Sequence, residues 1–140
     1  MSPTSFSDTL DTVLLSDFRC LIVDDSSAFC VAVSAVLTDA GAAVVRTAAS
    51  STEAISVADE TRPDLILVDI DLGRENGFDV VELLNTPERT PRPAIVLVST
   101  HDEDDFVDLI AASSAIGFLP KFELSARSIS RLVNSVSRDT

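Results

Sequence analysis

Tryptophan and tyrosine are absent from this chain, and its only aromatic rings besides one histidine are 7 phenylalanines, so a core must be mainly aliphatic. Positive charge is also scarce: 10 lysines and arginines stand against 23 acids, a formal net charge of −13. That balance argues against binding nucleic acid or an anionic membrane directly, and suits a basic protein partner or a divalent cation. The 2 cysteines have no metal-binding spacing, and Cys20 and Cys30 read as small buried hydrophobes. No run approaches the roughly 20 apolar residues that a membrane helix needs. The first residues lack the basic start and apolar stretch of a secretion signal, so a cytoplasmic location is expected. A chain of 140 residues fits one domain with a proper core.

What is present, from Phe18 onward, is an alternation of short apolar runs with helix-periodic segments. The first run, near 19–24, leads into a helix with Phe29, Val33, Val36, Leu37 and Ala40 on one face, and Gly41 supplies its left-handed stop. Ala43 to Val45 reads as a weaker strand. Ser50-Ser51-Thr52-Glu53 has capping-box spacing and opens a second helix through about Glu60. The run 65–69 is a buried strand, Gly73 and Asn76-Gly77 mark a loop, and Phe78 to Leu84 reads as a short helix. Ala94 to Val98 is a strand, Asp102 to Ala112 a helix, and Ile116 to Leu119 the last strand. Ile129, Leu132, Val133 and Val136 stripe a closing helix. The acids at 102–105 read as first-turn residues favoured by the helix dipole.

Such alternation predicts an α/β fold in which a parallel sheet is covered by helices on both faces, doubly wound through right-handed crossovers. Ligands of such sheets sit beyond the carboxyl ends of the strands. Residues 1–17 differ in character. Phe6, Leu10, Val13 and Leu14 could form a short amphipathic helix in a frayed or loosely docked arm. The organisation expected is therefore an arm over 1–17 and one domain over 18–138, with no output domain.

Two of the strands end abruptly on aspartate. Cys20 to Val23 runs into Asp24-Asp25, and Leu65 to Val68 runs into Asp69. Side by side, those strands would gather three acids whose mutual repulsion requires a cation or a proton. Ser99 and Thr100 end the fourth strand, and Lys121 follows the fifth after Pro120. Oxygen ligands suited to Mg²⁺ thus share an edge with a hydroxyl and an ammonium suited to a phosphoryl group.

In that order, over roughly residues 18–138, the chain resembles a response-regulator receiver domain of the kind found in the chemotaxis response regulator. The resemblance implies a flavodoxin-like, five-stranded sheet of order 2-1-3-4-5 and a part in two-component signal transduction. Asp69 would be the phosphoacceptor for a histidine kinase or phosphotransfer protein. Asp25 would bind Mg²⁺ directly, Asp24 would assist, and Asp69 and the backbone carbonyl of Asp71 would complete the protein's ligands. Lys121 would pair with the phosphoryl oxygens. Ser99 would be the switch hydroxyl, Phe118 the aromatic switch residue and Gly77 the turn glycine after the acceptor loop. The last two helices and strand would form the face that changes, through which a homodimer could also form.

By the same resemblance, His101 and Asp71 border the path of the hydrolytic water; His101 reads first as an exposed loop residue near a helix start, and the sharper alternative is that the two set the lifetime of the phosphorylated state. Phe122 stands where many members have proline, so the loop after Lys121 is expected to be built differently. Leu72-Gly73 replaces a common Met-Pro pair and is expected to loosen the acceptor loop.

Three other readings compete. Asp69-Ile70-Asp71 resembles the DxD nucleophile motif of haloacid-dehalogenase-type phosphatases, but its acid pair comes from an earlier strand and no acid pair follows a later one. A flavodoxin-like electron carrier needs a phosphate-holding loop after its first strand, where Asp24-Asp25 would repel the anion. A phosphorelay intermediate with no output of its own remains compatible. In each receiver reading the chain is no enzyme beyond its own phosphorylation and dephosphorylation.

Overall fold

A computed structural model gives the fold and describes residues 14–89, 91–101 and 103–138. The main sheet has five parallel strands, β1 (Arg19–Val23), β2 (Val44–Ala48), β3 (Leu65–Asp69), β4 (Ala94–Ser99) and β5 (Gly117–Pro120), in the order β2-β1-β3-β4-β5. The expected order 2-1-3-4-5 is the one observed. The helices are α1 (Ser27–Asp39), α2 (Ser51–Thr61), α3 (Gly77–Leu84), α4 (Val107–Ala112) and α5 (Ala126–Arg138).

The strands are apolar throughout because both faces of the sheet are covered. Successive side chains divide between two cores. Leu21, Val23, Ile66, Val68, Ile95, Leu97 and Phe118 pack with α2 and α3 residues such as Ala54, Val57, Val80 and Leu84. Cys20, Ile22, Leu65, Leu67, Val96, Val98 and Leu119 pack with Cys30, Val33 and Leu37 of α1 and Ile129 of α5. Registers pair Val23 with Val68 and Asp69 with Val98, which brings the carboxyl ends of β1, β3 and β4 to one edge.

Local signals account for most helix ends. Ser26 caps α1, its side chain accepting from the Phe29 N–H, and Gly41 sits at φ 100° just past the helix. Ser50 caps α2 by accepting from Glu53 N, while the Glu53 carboxylate accepts from Ala49 N at 2.6 Å. Asn76 caps α3 through the Phe78 N–H.

Three features differ from the sequence reading. The helix expected over 102–112 is broken: a 3-10 turn at Glu103–Asp105 precedes α4, and Asp102 lies outside the described residues. Phe106 interrupts the run, turning inward against Phe78 and His101 at ring-centroid distances of 6.0 Å each. The loop around Gly73 contains a two-residue antiparallel ladder, Asp71–Leu72 with Glu75–Asn76. Glu75 then accepts hydrogen bonds from the Ser51 N–H and hydroxyl, which lower its carboxyl below the usual range. The acceptor loop, expected to be loosened, is tied to the start of α2.

The third difference concerns the arm. Leu15 is fully buried, and its N–H donates to Ala40 O at 3.0 Å, followed by Asp17 N to Gly41 O at 3.1 Å. Residues 14–17 are docked on the domain, and the rest of the arm, 1–13, lies outside the described residues.

Candidate functional site

The acids that end β1 and β3 do converge. One carboxylate oxygen from each of Asp24, Asp25 and Asp69 lies within 4.8 Å of the others. Asp24 and Asp69 are buried, at 3% and 5% exposure, while Asp25 is open to solvent. Each buried carboxylate spends one oxygen on the backbone two residues ahead: Asp24 Oδ1 accepts from Ser26 N at 2.8 Å, and Asp69 Oδ1 from Asp71 N at 3.1 Å. The second oxygens of both face inward.

Lys121, the only lysine of the chain, lies between those inward oxygens. Its Nζ is 2.7 Å from Asp24 Oδ2 and donates to Asp69 Oδ2 at 3.3 Å. The Asp24 contact is the closer of the two and compensates the charge of that buried oxygen. The ammonium also sits over the Phe29 ring, 4.2 Å from its centroid. No feature of the sequence pointed to Phe29 as part of the site. Its four-residue spacing after Asp25 carried no signal, because the ring's position on an apolar helix face already explained it.

Burial pushes the Asp69 carboxyl up to about 6, and the Asp24 charge adds to this. The Asp71 N–H and Lys121 oppose the shift without cancelling it. For Lys121, burial pulls the ammonium down, but contacts with Asp24 and Asp69 outweigh it, so its pKa is raised. The neighbouring thiol of Cys30 is raised mainly by burial, and that of Cys20 reaches about 12 for the same reason. Both cysteines are free and buried, as expected of small hydrophobes.

Ser99 is fully buried, and its Oγ accepts from His101 N at 3.0 Å. The His101 Nε2 lies 3.6 Å from Asp71 Oδ2, with both side chains exposed. Phe118 is 6% exposed and packs in the α2/α3 core. Gly77 approaches the acceptor strand so closely that a Cβ there would lie 2.2 Å from Asp69 O. Phe122 follows Lys121 in a 3-10 turn (Lys121–Glu123) and is 73% exposed.

The donor set fits a hard divalent ion. Three carboxylates offer oxygens only, and one ammonium leaves the cluster two charges short of neutrality.

The family profile described as response regulator receiver domain matches residues 20–133. Among curated relatives, a protein-glutamate methylesterase/protein-glutamine glutaminase of Pseudomonas fluorescens is 34% identical over 130 residues, covering 86% of this chain and 34% of its own length. An Archaeoglobus fulgidus protein of the same description is 38% identical over 85 residues, 61% of this chain and 24% of that protein. The chain therefore spans about a quarter to a third of these relatives. Among solved structures, the chemotaxis response regulator CheY4 of Vibrio cholerae superposes with a TM-score of 0.70 at 28% identity, covering 88% of this chain and 98% of CheY4. The receiver domain of the Arabidopsis thaliana histidine kinase CKI1, solved with Mg²⁺, shares the fold at TM-score 0.71 and 21% identity, covering 93% and 97%.

Proposed function

The chain belongs to the response regulator receiver family, a two-component phosphoacceptor, and from that premise we propose that Asp69 is the residue phosphorylated. The observation that carries this assignment is the Lys121 ammonium 3.3 Å from Asp69 Oδ2, at a strand end shared with Asp24 and Asp25. Mg²⁺ would be held by Asp24, Asp25, Asp69 and the Asp71 carbonyl, and when bound it supplies positive charge to the transferring phosphoryl oxygens.

A carboxylate oxygen of Asp69 attacks phosphorus in line as the bond from phosphorus to the donor atom breaks, and the donor leaves with that electron pair. Lys121 then exchanges its Asp69 contact for a phosphoryl oxygen. The buried Ser99 hydroxyl, an acceptor for His101 N in this conformation, turns its proton towards the new anion. That contact favours one of two arrangements of the segment after β4, and Phe118 is the side chain proposed to follow it. Histidine kinases or phosphotransfer proteins are the proposed donors, and the face of α4, β5 and α5 is proposed to meet the target or a second copy.

Incubation with Mg²⁺ and a small phosphodonor such as acetyl phosphate tests the assignment. One added phosphoryl group by intact mass is expected, absent in Asp69→Asn. An adduct that persists in that variant would overturn the role of Asp69. Steady turnover of a phosphate ester would instead favour the phosphatase reading.

A further inference from the structure

We propose that Phe29 is a positioning residue for Lys121, its ring face holding the ammonium in the Asp24–Asp69 bridge and so setting how readily Mg²⁺ displaces that bridge. The inference deepens the metal site proposed above and rests on it. Three contacts define the resting place of Nζ: Asp24 Oδ2 at 2.7 Å, Asp69 Oδ2 at 3.3 Å and the Phe29 ring at 4.2 Å. The Lys121 side chain is only 15% exposed, so its charge meets the ring with little water between them.

The ring is held in register with the acid. Asp24 Oδ1 accepts from Ser26 N, and Ser26 Oγ accepts from Phe29 N at 3.3 Å, so one short segment fixes both carboxylate and ring. Phe29 itself is half-buried against the α1/α5 core.

Asp24 Oδ2 is the inward oxygen that Lys121 covers most closely. Two cations cannot share that oxygen without strong repulsion, so metal binding there requires Nζ to move off. The ring stabilises only the arrangement in which Nζ remains above it. Removing the π face while keeping apolar volume therefore shifts the equilibrium towards the metal-bound arrangement.

Calorimetric Mg²⁺ titration of wild type, Phe29→Leu, Lys121→Met and the double variant tests this. Phe29→Leu is expected to bind Mg²⁺ about two- to fivefold more tightly, and to have no further effect in the Lys121→Met background. A second readout needs no variant: the single lysine, labelled with ¹³C, gives ε-methylene signals shifted upfield by the ring in metal-free protein and returning towards random-coil positions with Mg²⁺. An unchanged affinity in Phe29→Leu, the same gain without Lys121, or unshifted ε-methylene signals in metal-free wild type would each overturn the proposal. A wild type that binds no Mg²⁺ would overturn the metal site, and this inference with it, whereas normal binding with no Phe29 effect overturns the inference alone.

Discussion

Replacing Asp69 by asparagine should stabilise the metal-free protein at neutral pH, although it removes the group proposed to react. The Asp69 carboxyl is raised from 3.8 to about 6, burial being the largest cause. A carboxyl that holds its proton more tightly when folded makes the folded state bind more protons between those two values. Stability contributed by this group is therefore present below the unfolded value and is lost as pH rises towards 6. At neutral pH the carboxyl is ionised in both states, and ionising it in the fold, where its pKa lies about two units higher, costs about 3 kcal/mol. Asparagine keeps the shape without the charge, and the attraction to Lys121 that it forfeits is already contained in that net shift. The net stabilisation expected in EDTA at neutral pH is about 1–3 kcal/mol, shrinking towards zero near pH 4. Urea unfolding followed by far-ultraviolet circular dichroism measures it, since no tryptophan or tyrosine is available for fluorescence. Saturating Mg²⁺ should reduce or reverse the difference, because the wild type then gains binding energy. An asparagine variant less stable than wild type in EDTA at neutral pH, or a difference that does not shrink on acidification, would refute the reasoning.

Other positions give sharp outcomes too. Gly77→Ala places a Cβ 2.2 Å from Asp69 O and 2.7 Å from Ile70 Cα, so the backbone beneath the acceptor must move. A displacement of about 1 Å there should slow phosphorylation by about 100-fold, and overpacking should cost about 1–3 kcal/mol, both readable from phosphodonor kinetics and urea melts. Leu15→Ala should destabilise the domain by about 2–5 kcal/mol, since the side chain is fully buried; a change within measurement error would mean that residues 14–17 are not part of the fold. His101→Ala and Asp71→Asn each remove one half of a 3.6 Å contact beside the acceptor. Each should speed loss of the phosphoryl group severalfold in a mass-spectrometric time course, and unchanged rates in both would exclude them from control of its lifetime.

The sheet was legible in the sequence because each buried strand is apolar on both faces and each ends on a group that cannot be buried cheaply. Asp24, Asp69 and Lys121 could be placed at one edge from that pattern alone, and Ser50 with Glu53 announced the start of α2. The second strand was harder. Arg46 and Thr47 belong to it, but at the sheet's edge their side chains meet water, so they read as loop. The split before α4 escaped because acids favour a helix's first turn whatever its tertiary fate, whereas Phe106 turns inward for contacts with Phe78 and His101. Leu15 against Ala40, Glu75 against Ser51 and Lys121 over Phe29 link residues 24 or more apart, and periodicity carries no information about such pairs.

The docking of Leu15 has a practical consequence for how this domain can be joined to others. Ala40 and Gly41, which receive the Leu15 and Asp17 N–H groups, lie where α1 gives way to β2, at the pole of the sheet away from Asp69. A chain spliced upstream of Leu14 thus begins at the far pole from the reacting carboxylate. A fluorescent protein or surface anchor attached there would leave the approach of a phosphodonor unobstructed. Because Leu15 is itself a core residue, a graft that cut it away would disturb the domain it was meant to report on.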